Sequence, residues 1–171
     1  ANSITDQVGA FSNGTTTDIG IDKGIILSTG RGILAKGPNN NAGASLATSN
    51  PFPLVGDNDL SLLTTGTIKN VSILEFDFVP VGNTLNFNFV FASEEYPEFV
   101  NDIYNDNFGF FLSGPGITGP FSGNAKNIAL IPTSTLPVTI NNLNNGLSNA
   151  GPCEFCQYYV NNQNGTTIQY D

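Results

Sequence analysis

The sequence predicts an all-β protein, an antiparallel β-sandwich of jelly-roll type with long loops and at most one or two short helices. Three observations carry that prediction. The 171 residues include 13 Phe and 5 Tyr but no Trp, Met or His, so a core must be built from Phe and β-branched aliphatics, which favour strands. Several apolar segments alternate with polar residues at the period of a half-buried strand. Finally, 24 Asn, 19 Gly and 10 Pro make up about 31% of the chain, which calls for many turns, while the apolar segments between them are regular enough to argue against disorder. The length suits one domain spanning residues 1–171, and at this size folding buries about 70% of the surface.

Along the chain, Gly24-Ile25-Ile26-Leu27-Ser28-Thr29-Gly30 reads as a buried strand ending in a turn. From Lys36 to Pro53 the composition shifts to Gly, Pro, Asn, Ala and Ser, which predicts a long surface loop. Asp57-Asn58-Asp59-Leu60-Ser61-Leu62-Leu63 has the form of a short helix start, with Asp to cap free amides and Leu60 and Leu63 three apart. In Val71-Ser72-Ile73-Leu74-Glu75-Phe76-Asp77-Phe78-Val79-Pro80, alternation puts Leu74, Phe76 and Phe78 on one face and Glu75 and Asp77 on the other. After a Val81-Gly82-Asn83 turn, Leu85, Phe87, Phe89 and Phe91 alternate with Asn86, Asn88, Val90 and Ala92. The two runs predict an antiparallel hairpin whose Phe rows pack on a common core. Residues 108–114 and 128–132 supply further strands. The segments 158–160 and 166–170 flank Asn164-Gly165, a good turn pair because both residues tolerate positive φ. No repeat of about 20 to 50 residues points to a solenoid or propeller.

Charge excludes several function classes. Five Lys and Arg against 14 Asp and Glu give a net charge of −9, and Lys23, Arg31, Lys36, Lys69 and Lys126 lie far apart. A nucleic-acid partner needs a cationic face to displace counterions from phosphate, and anionic membranes are disfavoured for the same reason. No apolar run is long enough for a transmembrane helix, so no membrane insertion is expected. Ala1-Asn2-Ser3-Ile4-Thr5-Asp6 lacks the charged and apolar parts of a signal peptide, so the expectation is that any export signal has been removed or lies outside this chain. Without His there is no Ser-His-Asp, Cys-His or His-ligated metal chemistry.

The main chemical signal lies between two apolar strands. Glu94, Glu95, Glu98, Asp102 and Asp106 fall within 13 residues, with Asn101, Asn105 and Asn107 adding amide oxygens. Two carboxylates about 4 Å apart repel by roughly 1 kcal/mol in water and about 4 kcal/mol at an effective dielectric near 20, so something must separate or neutralise them. A hard cation with six to eight oxygen ligands does so, and Ca²⁺ suits an oxygen-only site better than zinc or copper. Asp57 and Asp59, or Glu75 and Asp77, are candidate ligands from elsewhere in the chain. The spacing is not that of an EF-hand, and a solvated acidic loop is the plainer reading of the same residues. The carboxylates also formally offer a glycosidase-like pair, Glu94 or Glu95 with Asp102 or Asp106, but there is no Trp platform for a sugar and no catalysis is expected. The Asn-X-Ser/Thr triplets at 13–15, 70–72 and 164–166 read as chance in so Asn-rich a chain.

Phe89-Val90-Phe91-Ala92-Ser93-Glu94-Glu95-Tyr96-Pro97-Glu98-Phe99, followed by Asn105-Asp106-Asn107-Phe108-Gly109-Phe110-Phe111-Leu112-Ser113-Gly114-Pro115-Gly116, resembles the signature of the choice-of-anchor L family. The strings at 24–30, 57–60, 74–80 and 168–171 support the resemblance, which spans nearly the whole chain. It implies an exported bacterial protein of the cell surface or extracellular space, often adhesin-like, with no established catalytic activity. Similar domains usually begin before Ala1 and continue past Tyr170-Asp171 with more strands, so the expectation is a trimmed fragment or an incomplete sheet completed by something else. In an exported protein, Cys153-Glu154-Phe155-Cys156 is expected to form a local disulfide; thioredoxin-like chemistry wants a helix N-terminus within an α/β unit, and zinc needs two further ligands.

Two functions follow as expectations. In the first, a Ca²⁺-ordered loop presents Ser93, Tyr96, Tyr104, Asn105, Asn107 and acid groups to an extracellular glycan or peptide ligand. In the second, the chain is a self-associating subunit of an extracellular filament or matrix, its sheet completed by a strand from a neighbouring subunit.

Overall fold

Short, strand-forming segments separated by Gly, Asn and Pro allow only short ladders, and short antiparallel pairs are what the computed structural model contains; it describes residues 5–40 and 56–170. Strand β1 (Val8–Phe11) pairs antiparallel with β2 (Gly24–Leu27), Val8 opposite Leu27 and Phe11 opposite Gly24. Gly24 is required by that register, because a Cβ there would stand 2.9 Å from Cε1 of the Phe11 ring. Four two-residue strands follow: β3 (Asn107–Phe108), β4 (Phe111–Leu112), β5 (Lys126–Asn127) and β6 (Val138–Thr139). Strand β3 pairs with β6 and β4 with β5, all antiparallel. Helical structure among the described residues is confined to 3-10 turns of three or four residues, so the chain is mostly β with irregular connections.

The expected elements are partly recovered. The segment at 24–27 is a strand, but Ile25 is 58% exposed, so it is not a buried one. Its partner β1 carries no signal in the sequence, because Val8-Gly9-Ala10-Phe11 has too few apolar residues to show a period. The short helix at 57–63 is a 3-10 turn, Leu60–Leu62, and Asp57 caps it: Leu60 N–H donates to Asp57 Oδ1 at 2.8 Å. Residues 108–114 and 128–132 form only fragments, continued by Ile128 N–H donating to Phe110 O at 2.8 Å and by a bridge between Leu130 and Pro137. Asn164 takes φ 65° as a turn residue should, yet its flanks do not pair with each other. Residue 158 ends a 3-10 turn, Cys156–Tyr158, and Ile168 bridges to Lys36 instead. The long loop expected from Lys36 to Pro53 falls mostly on residues 41–55, outside the described residues.

The largest difference concerns the Phe-rich hairpin. Residues 74–92 run without strand assignment, and among the described residues none of them has a backbone hydrogen bond. The two Phe rows do not share a core. Phe87 and Phe89 stack on Phe110 and Phe108, with ring centroids 4.4 and 5.0 Å apart, while among the aromatic rings of the described residues Phe76 and Phe78 pair with each other, at 6.1 Å. Alternation selects which side chains share a face; it does not supply the strand that the backbone pairs with. The buried core lies elsewhere, in Tyr96, Val100 and Ile140 with Phe91 and Tyr159 against them, and in Ala129, Ile131 and Val138.

Candidate functional site

Residues 93–107 fold back through tight turns, with Phe99 N–H donating to Glu95 O at 2.9 Å and Asp102 N–H to Phe99 O at 3.0 Å. Those turns bring the Asp106 carboxylate to a buried hydroxyl. Ser93, 3% exposed, donates from Oγ to Asp106 Oδ2 at 2.8 Å and accepts from Glu95 N–H at 3.0 Å. Ser93 therefore ties the start of the loop to its end.

The charges of the loop press on one another. Partial burial raises the Glu95 carboxyl above its ordinary value, and the negative charges of Asp106, Asp102 and Glu98 raise it further. Asp106 is also raised by burial, an effect partly offset by the Ser93 hydroxyl that hydrogen-bonds to it. Among the described residues no Lys or Arg pairs with Glu95, Glu98, Asp102 or Asp106; the ion pair present is Arg31 Nε to Asp6 Oδ2 at 3.4 Å, on the surface far along the chain. Among the described residues, Glu98 Oε2 is buried with no hydrogen-bond partner, as is Asn107 Nδ2. A buried carboxylate oxygen without a donor is costly, and a cation relieves that cost directly. As the side chains stand, however, no three carboxylates among the described residues converge on a common point. A cation would have to draw them together.

The structure assembles only part of the expected set. Glu95, Glu98, Asp102 and Asp106 share one electrostatic neighbourhood. The Glu94 charge acts on Tyr170, whose hydroxyl is pushed up to about 12, mainly by burial, with a hydrogen bond with Ser28 opposing and the Glu94 charge adding. Asp57 caps Leu60, and Asp59 Oδ1 accepts from both Ser122 N–H and Ser122 Oγ at 3.0 Å, so these two carboxylates have structural partners of their own. Glu75 and Asp77 are exposed on the unpaired segment.

Among the ligand-facing candidates, Tyr104 is 53% exposed and meets Phe99 edge to face at 5.4 Å. Tyr96 does not face a ligand: it is 4% exposed, its ring lies 5.1 Å from that of Tyr159, and its hydroxyl donates to Leu143 O. The Tyr96 hydroxyl is raised by burial, then by Tyr159 and Asp106. Asn105 is a structural clamp, donating from Nδ2 to Thr64 Oγ1 and accepting at Oδ1 from Asn141 N–H, each at 2.9 Å.

Asn141 is the residue that sequence reasoning misses. Its Oδ1 accepts from Asn101 N–H at 2.7 Å and its Nδ2 donates to Asp102 O at 3.1 Å, so it holds the acidic loop from about 40 positions away. Inside Asn141-Asn142-Leu143-Asn144-Asn145-Gly146, nothing local distinguishes it from an ordinary turn residue. Cys153 and Cys156 are joined by a disulfide with Cα atoms 5.1 Å apart, as expected, and Phe155 between them has φ 53°. Neither sulfur lies in the acidic loop, and the bridge is a local staple.

The family model of the choice-of-anchor L domain matches residues 1–171, and the chain belongs to that family. Its domains are surface-associated modules of exported bacterial proteins and are generally non-enzymatic. Comparison with curated proteins and with solved structures returned no significant match. No helix among the described residues is long and apolar enough to cross a membrane.

Proposed function

We infer that this choice-of-anchor L domain is a non-catalytic structural module of a bacterial surface assembly, which accepts an extended strand from a neighbouring chain and so completes a β-sandwich. One observation carries the reading: residues 74–92 present alternating Phe and aliphatic side chains with no backbone partner among the described residues. Exposed strand edges of this kind are templates for strand addition. An open space of about 3540 Å³ is lined by residues from most of the described chain, this segment and β2 among them, unlike the close packing of a finished interior. Amide hydrogen exchange on the isolated 171-residue chain tests this. Residues 74–92 are expected to exchange nearly as fast as an unstructured peptide, in a chain that binds the apolar dye ANS strongly. Protection across 74–92 in a dispersed monomer that excludes the dye would overturn the reading.

A second reading is favoured by the orphaned Glu98 oxygen and the crowding at Glu95. Here the loop takes up Ca²⁺ through Glu95, Glu98, Asp102 and Asp106 and orders exposed Tyr104 toward an extracellular glycan or peptide. Binding of Ca²⁺ to the folded state would raise the melting temperature, and EDTA would reverse the rise.

A further inference from the structure

We propose that the strand accepted at residues 74–78 alternates apolar and basic side chains, with two cations two residues apart set against Glu75 and Asp77, and that it comes from a polypeptide other than a copy of residues 1–171. This rests on the strand-acceptor reading and names the chemistry of its partner. In a two-strand pair, residues directly opposite share a face. The rings of Phe76 and Phe78 lie 6.1 Å apart, and with Leu74 at the same alternation they ask for apolar residues across from them. The intervening positions are Glu75 and Asp77, both exposed and, among the described residues, without a salt bridge. A donor strand must therefore set side chains directly beside two carboxylates spaced by two residues. Acidic residues there repel, and basic ones pair.

This chain cannot supply such a donor. Its cations stand at 23, 31, 36, 69 and 126, so no two are two residues apart, and with 14 acidic residues most alternative registers of a second copy bring like charge or no charge to Glu75 and Asp77. The second strand-like run places Asn86 and Asn88 at the equivalent polar positions, which carry no charge preference. Selection by charge is thus concentrated at 75 and 77.

Three short synthetic peptides distinguish the possibilities: Val alternating with Lys, with Thr and with Glu. Each is titrated into the 171-residue chain and into Glu75→Gln plus Asp77→Asn, with binding followed by anisotropy and the contact located by amide exchange. The Lys peptide should bind about tenfold tighter than the Thr peptide and tighter still than the Glu peptide, slowing exchange at 74–80, and the double variant should erase the ranking. Equal binding of all three, each with protection at 74–80, would overturn the charge selection while leaving strand acceptance intact. Binding of none would overturn strand acceptance itself. Lys-peptide binding without protection at 74–80 would reduce it to general attraction to an acidic protein and sink the proposal. Oligomers of the chain alone that protect 74–80 would identify a second copy as the donor and overturn the assignment to another polypeptide.

Discussion

Phe76 and Ile140 are both apolar, Phe76 in a segment without strand assignment and Ile140 in the turn that follows β6, yet Phe76 is 53% exposed and Ile140 fully buried. The neighbourhood of Ile140 is closed by polar contacts as much as by apolar ones. Ile140 N–H donates to Asp106 O at 3.2 Å, and its carbonyl accepts from Asn144 Nδ2 at 2.9 Å. Asn144 is itself fully buried and exchanges backbone hydrogen bonds with Glu154. Residues 74–92 have a stronger hydrophobic pattern and, among the described residues, no such backbone partners. The difference teaches that alternation is not sufficient for burial: a strand is buried when its backbone groups are paired and its apolar face is covered.

The sharpest way to break this comparison is truncation on both sides of it. Ile140→Ala should cost about 2–5 kcal/mol, the range for emptying a filled core position, whereas Phe76→Ala in the isolated chain should change stability by less than about 0.5 kcal/mol. Urea unfolding of the two variants measures both, and similar losses would mean that the Phe row is packed in solution. With the accepted strand bound, Phe76→Ala should weaken association instead.

Calcium tests the acidic loop, where Glu95, Glu98, Asp102 and Asp106 have no cationic partner among the described residues. At free Ca²⁺ a hundredfold above Kd, the folded state should gain about 2.7 kcal/mol, and Asp102→Asn plus Asp106→Asn should abolish the gain. Melting curves that coincide at every calcium level would eliminate the cation.

A smaller effect is expected from the staple at Cys153 and Cys156. Replacing both by Ser should leave the fold intact and cost toward the low end of the roughly 0–5 kcal/mol range for disulfides, because so short a loop restricts the unfolded chain little. Mass spectrometry without reductant should find the pair oxidised. A large loss of stability would show that the bridge, rather than the Asn144–Glu154 contact, holds this end together.

The smallest expected effect is on pH dependence. Glu95 and Asp106 both have carboxyls raised in the folded state, so between the ordinary carboxylate value and the raised one the folded chain holds protons that the unfolded chain has released. Their contribution to stability is fully present below the ordinary value and is lost as pH rises through the raised values. In EDTA, lowering pH through that window should therefore raise the melting temperature slightly against the general trend. Glu95→Gln should flatten the profile, and an unchanged profile would show that the loop charges are dispersed in solvent.

Much of this protein was legible in the residues themselves. Their composition predicts the mostly β chain that the structure has; the string from Phe89 to Gly116 carries the family; and Cys153 with Cys156 carries the disulfide. These are properties of local sequence, which needs no partner to be read. What only the tertiary structure decided is which groups meet across long separations. Tyr96 enters the core because Tyr159 and Leu143 arrive from elsewhere, Asn141 clamps a loop 40 positions away, and β1 becomes a strand because β2 lies beside it. The same reason governs residues 74–92: alternation fixes their faces through covalent geometry, but pairing is a contact between distant segments, and no one-dimensional pattern specifies the segment that supplies it.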